Sequence, residues 1–484
     1  MLEPRGRSTA LWLVAGILLA LKLCYALVVP PNIDEAYYFV WGLVPQASYL
    51  DHAPMVGWSS GLARLLAGLS PFAVHLPALA TFATIAFALH RWNRATGGGR
   101  FAAMLAVLCA SPLLNILTTL NYPDHLLICF GLLATLSLAR FLDGFGAGTH
   151  RWRDLYFGAI WLGLAGLSKY SAVALGLALV LTIVTVPRLR PLLRAPQLYL
   201  AGLVTLLLVS PVIWWNIEHH FASVALHTGE RYRAETGFGV ADTFRLLWQS
   251  VLFLSPALAI ALWRFLRGAR GTETTALTHL GRYTLLLIGL VMFGLSTWSG
   301  AEGQVKPHWL AIGFVPFLPV MADAIGRGWL RRLHLGFGLV VMAALTLYYV
   351  AAPLSYSWAV AKDGEAAVTF GLEQVVAAAE AQSAATGATA FLFKNYWTAA
   401  KFTAARGSIA GTVTISPIPD QFQLWTPPAS LAGRDAIIVL APGDKPDAFA
   451  PHFDSLTELS PVTTTRFGQK LATWRLFLGK GWKG

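Results

Sequence analysis

Ten apolar stretches recur along this chain, and they constrain its fold more than any other feature. They lie near 11–28, 72–90, 101–119, 125–142, 156–186, 197–215, 246–266, 280–299, 308–326 and 333–353. A helix of about 20 apolar residues is long enough to cross a hydrocarbon core. In lipid the backbone must satisfy its own polar groups, so runs of this length select helices. The stretch at 156–186 is too long for one crossing. Ser168-Lys169-Tyr170-Ser171 interrupts it, which predicts a tight hairpin of two helices and about eleven crossings in all. Composition agrees: 56% of the 484 residues are hydrophobic and 12% charged, about half the charged share of a soluble chain. The first stretch follows Arg5 and Arg7 without a small-residue cleavage site after it, so it reads as a retained helix.

The formal net charge is +12, which in a soluble protein would suggest nucleic acid. Here the arginines sit in short loops at every second gap between apolar runs. Examples are Arg91, Arg94 and Arg100; Arg140, Arg151 and Arg153; Arg188, Arg190 and Arg194; and Arg327, Arg331 and Arg332. That is the positive-inside pattern. It places these loops and the N-terminus in the cytoplasm and argues against nucleic acid as a partner. The three cysteines, Cys24, Cys109 and Cys129, lie inside apolar runs and read as small buried hydrophobes.

With the N-terminus inside, the loops at 29–71, 120–124, 168–171, 216–245 and 300–307 fall outside, with the tail from 354 onward. They hold nearly all the unusual polar residues. We expect a transmembrane unit over 1–354 with a large outer loop at 29–71, then a second domain over 355–484. In the tail, 365–385 reads as an Ala-rich amphipathic helix. Short β-type runs follow at 389–393, 412–415, 436–440 and 473–477. Strands alternating with helices predict a small α/β domain. It has no glycine-rich phosphate loop, so no nucleotide is assigned to it.

Several outer residues carry candidate chemistry. Asp34 and Glu35 follow the first crossing; a carboxylate there can take a proton from an attacking hydroxyl, or simply face water at the interface. Asp124 follows Pro123 at a helix start, where it caps the helix, faces a cavity, or does both. Lys169 sits in the hairpin, as a snorkelling cation or as a ligand for a leaving phosphate. Arg231 and Arg233 can fork onto phosphate oxygens. Lys306 is a second cation, read either as a phosphate ligand or as a headgroup contact. His219, His220 and His227 have poor chelating spacing. The weight lies in acids, cations and aromatics converging on outer loops, as a lipid-phosphate substrate would require.

The ordered set Asp34-Glu35-Ala36-Tyr37-Tyr38, Tyr49-Leu50-Asp51-His52-Ala53-Pro54, Pro123-Asp124-His125, Gly166-Leu167-Ser168-Lys169-Tyr170, Pro211 to Asn216 and Lys306-Pro307-His308-Trp309 resembles the GT-C polyprenyl-phosphate-dependent glycosyltransferases. The likeness is to the bacterial branch related to protein O-mannosyltransferases and the lipid A aminoarabinose transferase. It implies a mainly α polytopic bundle with a cavity at the outer membrane face. It implies inverting transfer of a sugar from a polyprenyl-phosphate donor to a lipid, glycan or protein acceptor on the periplasmic side of a bacterial inner membrane. Asp34 then takes the family's catalytic acidic position, with Glu35 beside it and Asp51 and Asp124 in support. Tyr37, His52, Lys169, Arg231, Arg233, Lys306 and His308 are the expected substrate contacts. No cofactor is required, and a divalent ion at the acidic residues is compatible with the scheme but is not expected. Asp51-His52-Ala53-Pro54 departs from the family's usual His-Pro-Pro, and His52 stands where the aminoarabinose enzymes have Lys, so their sugar preference does not carry over. The rival classes are a transporter or lipid flippase and a non-catalytic lipid-binding scaffold. The chain shows no two-fold repeat of broken helices, which counts against transport.

Overall fold

The computed structural model of the chain describes residues 5–94, 98–228, 240–268, 275–299, 305–355 and 368–484. It is mainly helical, with a small sheet near the C-terminus. Among the described residues seven helical segments are long and apolar enough to span a membrane: Ser8–Val28, Pro71–Trp92, Pro123–Gly146, Pro196–Glu218, Ala276–Thr297, Pro307–Ile325 and Trp329–Val350. Two bent pairs raise the number to nine. Tyr170–Thr185 meets Pro187–Arg194 at 109°, and Val240–Leu254 meets Pro256–Gly268 at 99°. The protein is thus a multi-pass membrane protein, with seven to nine full-length spans among the described residues where about eleven were expected.

Local chemistry explains the difference. Ser111, held extended before Pro112, splits the third apolar run into Gly98–Ala110 and Pro112–Leu117, because a residue preceding proline is pushed out of helical geometry. Ser255 has φ 88° before Pro256 and marks the sharp bend of the later pair. The long run at 156–186 does divide at the expected hairpin. The helix Trp152–Ser168 stops at Lys169, which is extended, and helix resumes at Val173 after a single tight turn.

The described residues form two compact units. The first draws on the segments Met1–Leu23, His52–Met55 and Ala78–Ala344. Its core is apolar and close-packed. Gly158 lets the helix Trp152–Ser168 approach Pro123–Gly146: a Cβ there would lie 2.5 Å from Leu138 Cδ2. Lys22, 3% exposed in the first span, donates to the Asn115 carbonyl (3.0 Å) and to the Thr118 and Thr119 hydroxyls (3.1 and 2.7 Å). A buried ammonium is tolerated only with such partners. This one staples the first helix to the turn that leads toward Asp124.

The second unit draws on Cys24–Asp51, Val56–Pro77 and Leu345–Gly484. It therefore contains most of the outer loop as well as the C-terminal sheet. The sheet comprises β1 (Ala390–Phe393), β2 (Thr412–Thr414), β3 (Ala436–Leu440), β4 (Phe453–Glu458), β5 (Val462–Arg466) and β6 (Gln469–Trp482). Its order is β2-β1-β3-β6-β4, with β5 also paired to β6; β2, β1 and β3 are parallel and the rest antiparallel. The four expected strands are present. β4 and β5 were not expected, since their Asp, Ser and Thr residues leave them mostly exposed and without an apolar run. The expected helix at 365–385 is observed over Leu372–Thr386, and residues 365–367 lie outside the described residues.

Candidate active site

In the first unit the site is built around one ion pair. Asp124 lies in the first turn of Pro123–Gly146, but the helix receives no side-chain cap. The carboxylate instead accepts from Lys169 Nζ at both oxygens, at 2.9 Å each. Asp124 is 1% exposed and Lys169 7%. Lys169 therefore does not snorkel. The break in helix at Lys169 turns its side chain toward the start of the neighbouring helix, and both charges are buried together. Such a pair is tolerated only when its geometry is good.

Beside the pair lies a cavity of about 300 Å³. Lys169, His52, His227 and Tyr170 line it together with an apolar wall that includes Ile288, Val291, Met292 and Trp309. The His52 and His227 rings are 6.0 Å apart, and His227 lies 6.0 Å from Tyr170. A charged and aromatic end on an apolar wall suits an amphiphile with an anionic head. A second cavity, of about 490 Å³, is lined by Lys306, His308, Arg245 and Gln249 on a bed of Leu113, Ile116, Leu117 and Phe253. Lys306 is exposed there, and His308 packs 6.2 Å from the Tyr122 ring.

In the second unit the helix Ile33–Trp41 carries Asp34, Glu35 and Tyr37. Asn32 and Glu35 form a reciprocal capping box: Glu35 N donates to Asn32 Oδ1 (3.0 Å), and Asn32 N donates to Glu35 Oε2 (3.1 Å). Glu35 Oε1 also lies 3.1 Å from His75 Nε2, with both side chains fully buried. These contacts fix the start of the helix and leave Asp34, half-buried, on its first turn. Tyr37 donates to Asp51 Oδ2 at 2.8 Å. Burial and the nearby Asp51 and Asp420 carboxyls hold the Tyr37 hydroxyl well above its ordinary pKa, so it stays a donor. Gly42 at the end of this helix abuts Gly61, and a Cβ on Gly42 would come within 2.4 Å of Gly61 N.

Two comparisons with known proteins bear on this arrangement. Residues 51–215 match the family described as Dolichyl-phosphate-mannose-protein mannosyltransferase. The whole fold is similar to that of ArnT from Cupriavidus metallidurans. In its apo state ArnT is 15% identical, with TM-score 0.63 over 96% of this chain and 97% of that one. Bound to undecaprenyl phosphate, it is 16% identical with the same score and coverage. What the chain shares with ArnT is its fold. No curated protein sequence matches it.

Of the expected site residues the structure brings together Asp124 with Lys169, His52 with His227 and Lys169, Tyr37 with Asp51, and Lys306 with His308. Arg231 and Arg233 lie outside the described residues. Among the described residues no three His, Cys, Asp or Glu side chains gather as metal ligands would. Two groups escape the sequence reading. Lys22 carried a signal, since an ionisable residue inside a span points to function or to buried polar partners. Asp420 and Gln421 carried none; their place beside Tyr37 comes from the tertiary fold.

Proposed function

We propose that the protein transfers a sugar from a polyprenyl-phosphate donor to a lipid, glycan or protein acceptor on the periplasmic face of a bacterial inner membrane, with inversion at C1. Residues 1–354 form the transmembrane catalytic domain and 355–484 a periplasmic domain, with the N-terminus cytoplasmic. The acceptor O–H or N–H attacks C1 and the bond from C1 to the phosphate oxygen breaks. The proton passes to Asp34 and the polyprenyl phosphate leaves with the added negative charge. Glu35 fixes the helix start that presents Asp34, and Asp51 and Asp124 are supporting acids. Tyr37, His52 and His308 contact substrate.

The observation that supports this most is the buried Asp124–Lys169 pair at an apolar cavity edged by His52 and His227. An ammonium has three hydrogens, and a single carboxylate engages at most two of them, so at least one is left for a phosphate oxygen. A fixed cation at the leaving group lowers the barrier because charge grows there in the transition state. Lys306, Arg231 and Arg233 supply further cationic contacts. That one relative was solved with undecaprenyl phosphate bound suits this donor class. The test is release of free polyprenyl phosphate from lipid-linked sugars by purified protein. Acceptor-dependent release supports the reading, and binding without release contradicts it.

A further inference from the structure

The C-terminal sheet domain supplies a two-residue clamp on the outer loop within the second unit. Gln421 is 1% exposed, and its contacts span three points of the loop. Its backbone N–H donates to the Tyr37 hydroxyl (2.8 Å), which itself donates to Asp51. Its side-chain Oε1 accepts from Leu50 N–H (2.8 Å), the peptide next to Asp51, and its Nε2 donates to Gln46 Oε1 (3.2 Å). Asp420, 2% exposed, sets the start of this short helix. Its Oδ1 accepts from the Thr414 hydroxyl (2.9 Å) and from Gln423 N–H (3.2 Å). Its Oδ2 is buried with no hydrogen-bond partner among the described residues.

We infer that Asp420 and Gln421 are positioning residues for the reaction, holding the Asp51 carboxylate in place through the Tyr37 hydroxyl and the Leu50 peptide. The inference rests on the proposed role of Asp51. The backbone bond to Tyr37 Oη directs the phenol's own proton toward Asp51, and the Leu50 bond fixes the chain on the other side. The titratable groups facing Asp420 are Tyr37 and Asp51. Burial raises the Asp420 carboxyl to about 7, and the charge of Asp51 adds to the rise. Near neutral pH Asp420 thus changes from a neutral to a charged neighbour of Asp51. Once charged, it repels the carboxylate that the clamp holds in place.

The test compares parent, Gln421→Leu, Asp420→Asn and Asp51→Asn, using lipid-linked sugars extracted from the cell's own membranes and the release of undecaprenyl phosphate as readout. Gln421→Leu should lower kcat about ten- to a hundredfold with donor KM within about threefold. Parent kcat should fall as pH rises through about 7, and Asp420→Asn should lose that fall while keeping parent activity at pH 6 within about threefold. A parent-like kcat in Gln421→Leu, or an unchanged alkaline fall in Asp420→Asn, overturns the inference. If Gln421→Leu does not fold, the Asp420→Asn profile decides alone. Full activity in Asp51→Asn would instead remove the role of Asp51 itself. An inactive Asp51→Asn beside a parent-like Gln421→Leu removes only the clamp.

Discussion

Replacing Lys169 with Met tests the central ion pair. Met keeps most of the apolar stem but strands the Asp124 carboxylate, which is 1% exposed and takes both of its charge-assisted bonds, at 2.9 Å, from Lys169. Breaking a buried pair at one partner typically costs about 3–5 kcal/mol, most of it the uncompensated charge. Lys169→Met alone should therefore melt well below the parent in detergent. The double variant Asp124→Asn/Lys169→Met removes both charges and should recover most of that loss, because the two residues are coupled. Activity separates structure from chemistry. If Lys169 also contacts the leaving phosphate, the stable double variant should stay at least about tenfold down in turnover of lipid donor, the worth of one lost charge-assisted contact. A single variant as stable as the parent would refute the pair. A double variant with parental turnover would make Lys169 purely structural.

Asp34→Asn should insert and fold as the parent does yet lose about a hundredfold or more in transfer, the usual cost of a general base; near-parental turnover removes Asp34 from the mechanism. Asp420→Asn should change stability in a pH-dependent way. The folded-state value of about 7 lies above the ordinary 3.8, so parent stability is full below about pH 4, falls as pH rises to about 7 and is flat beyond. The span amounts to roughly 4 kcal/mol at 1.36 kcal/mol per pH unit. The melting-temperature gain of Asp420→Asn should widen over that range and then level, and a gain independent of pH contradicts the assignment. A C-terminal reporter active only outside the cytoplasm should be active on this protein, and one active only inside should be silent; the reverse overturns the topology drawn from the arginines.

The membrane bundle was legible because apolar length is a property of the sequence itself. The hairpin at Lys169 was legible for the same reason: polar residues interrupt an apolar run. The span count was not, because Ser111-Pro112 and Ser255-Pro256 bend or split runs whose composition looks continuous. Asp124 could be read as a cap or as a cavity group. Only the fold shows that it spends both oxygens on Lys169, 45 residues away. Glu35 read as a catalytic neighbour of Asp34, and its contacts show a capping box and His75. The outer loop and the tail read as separate regions. Their contacts through Tyr37, Leu50 and Gln421 span more than 370 residues of sequence, which no local pattern encodes.

The most direct measurement reconstitutes the purified protein in lipid bilayers with a radiolabelled pool of polyprenyl-phosphate sugars and outer-membrane glycolipid, glycan and protein fractions as acceptors. The account predicts that label leaves the polyprenyl carrier and appears on an acceptor, with one free polyprenyl phosphate formed per sugar moved, and that Asp34→Asn stops both together. Label that crosses the bilayer still attached to its polyprenyl phosphate, with no carrier freed, would contradict it and make the protein a transporter.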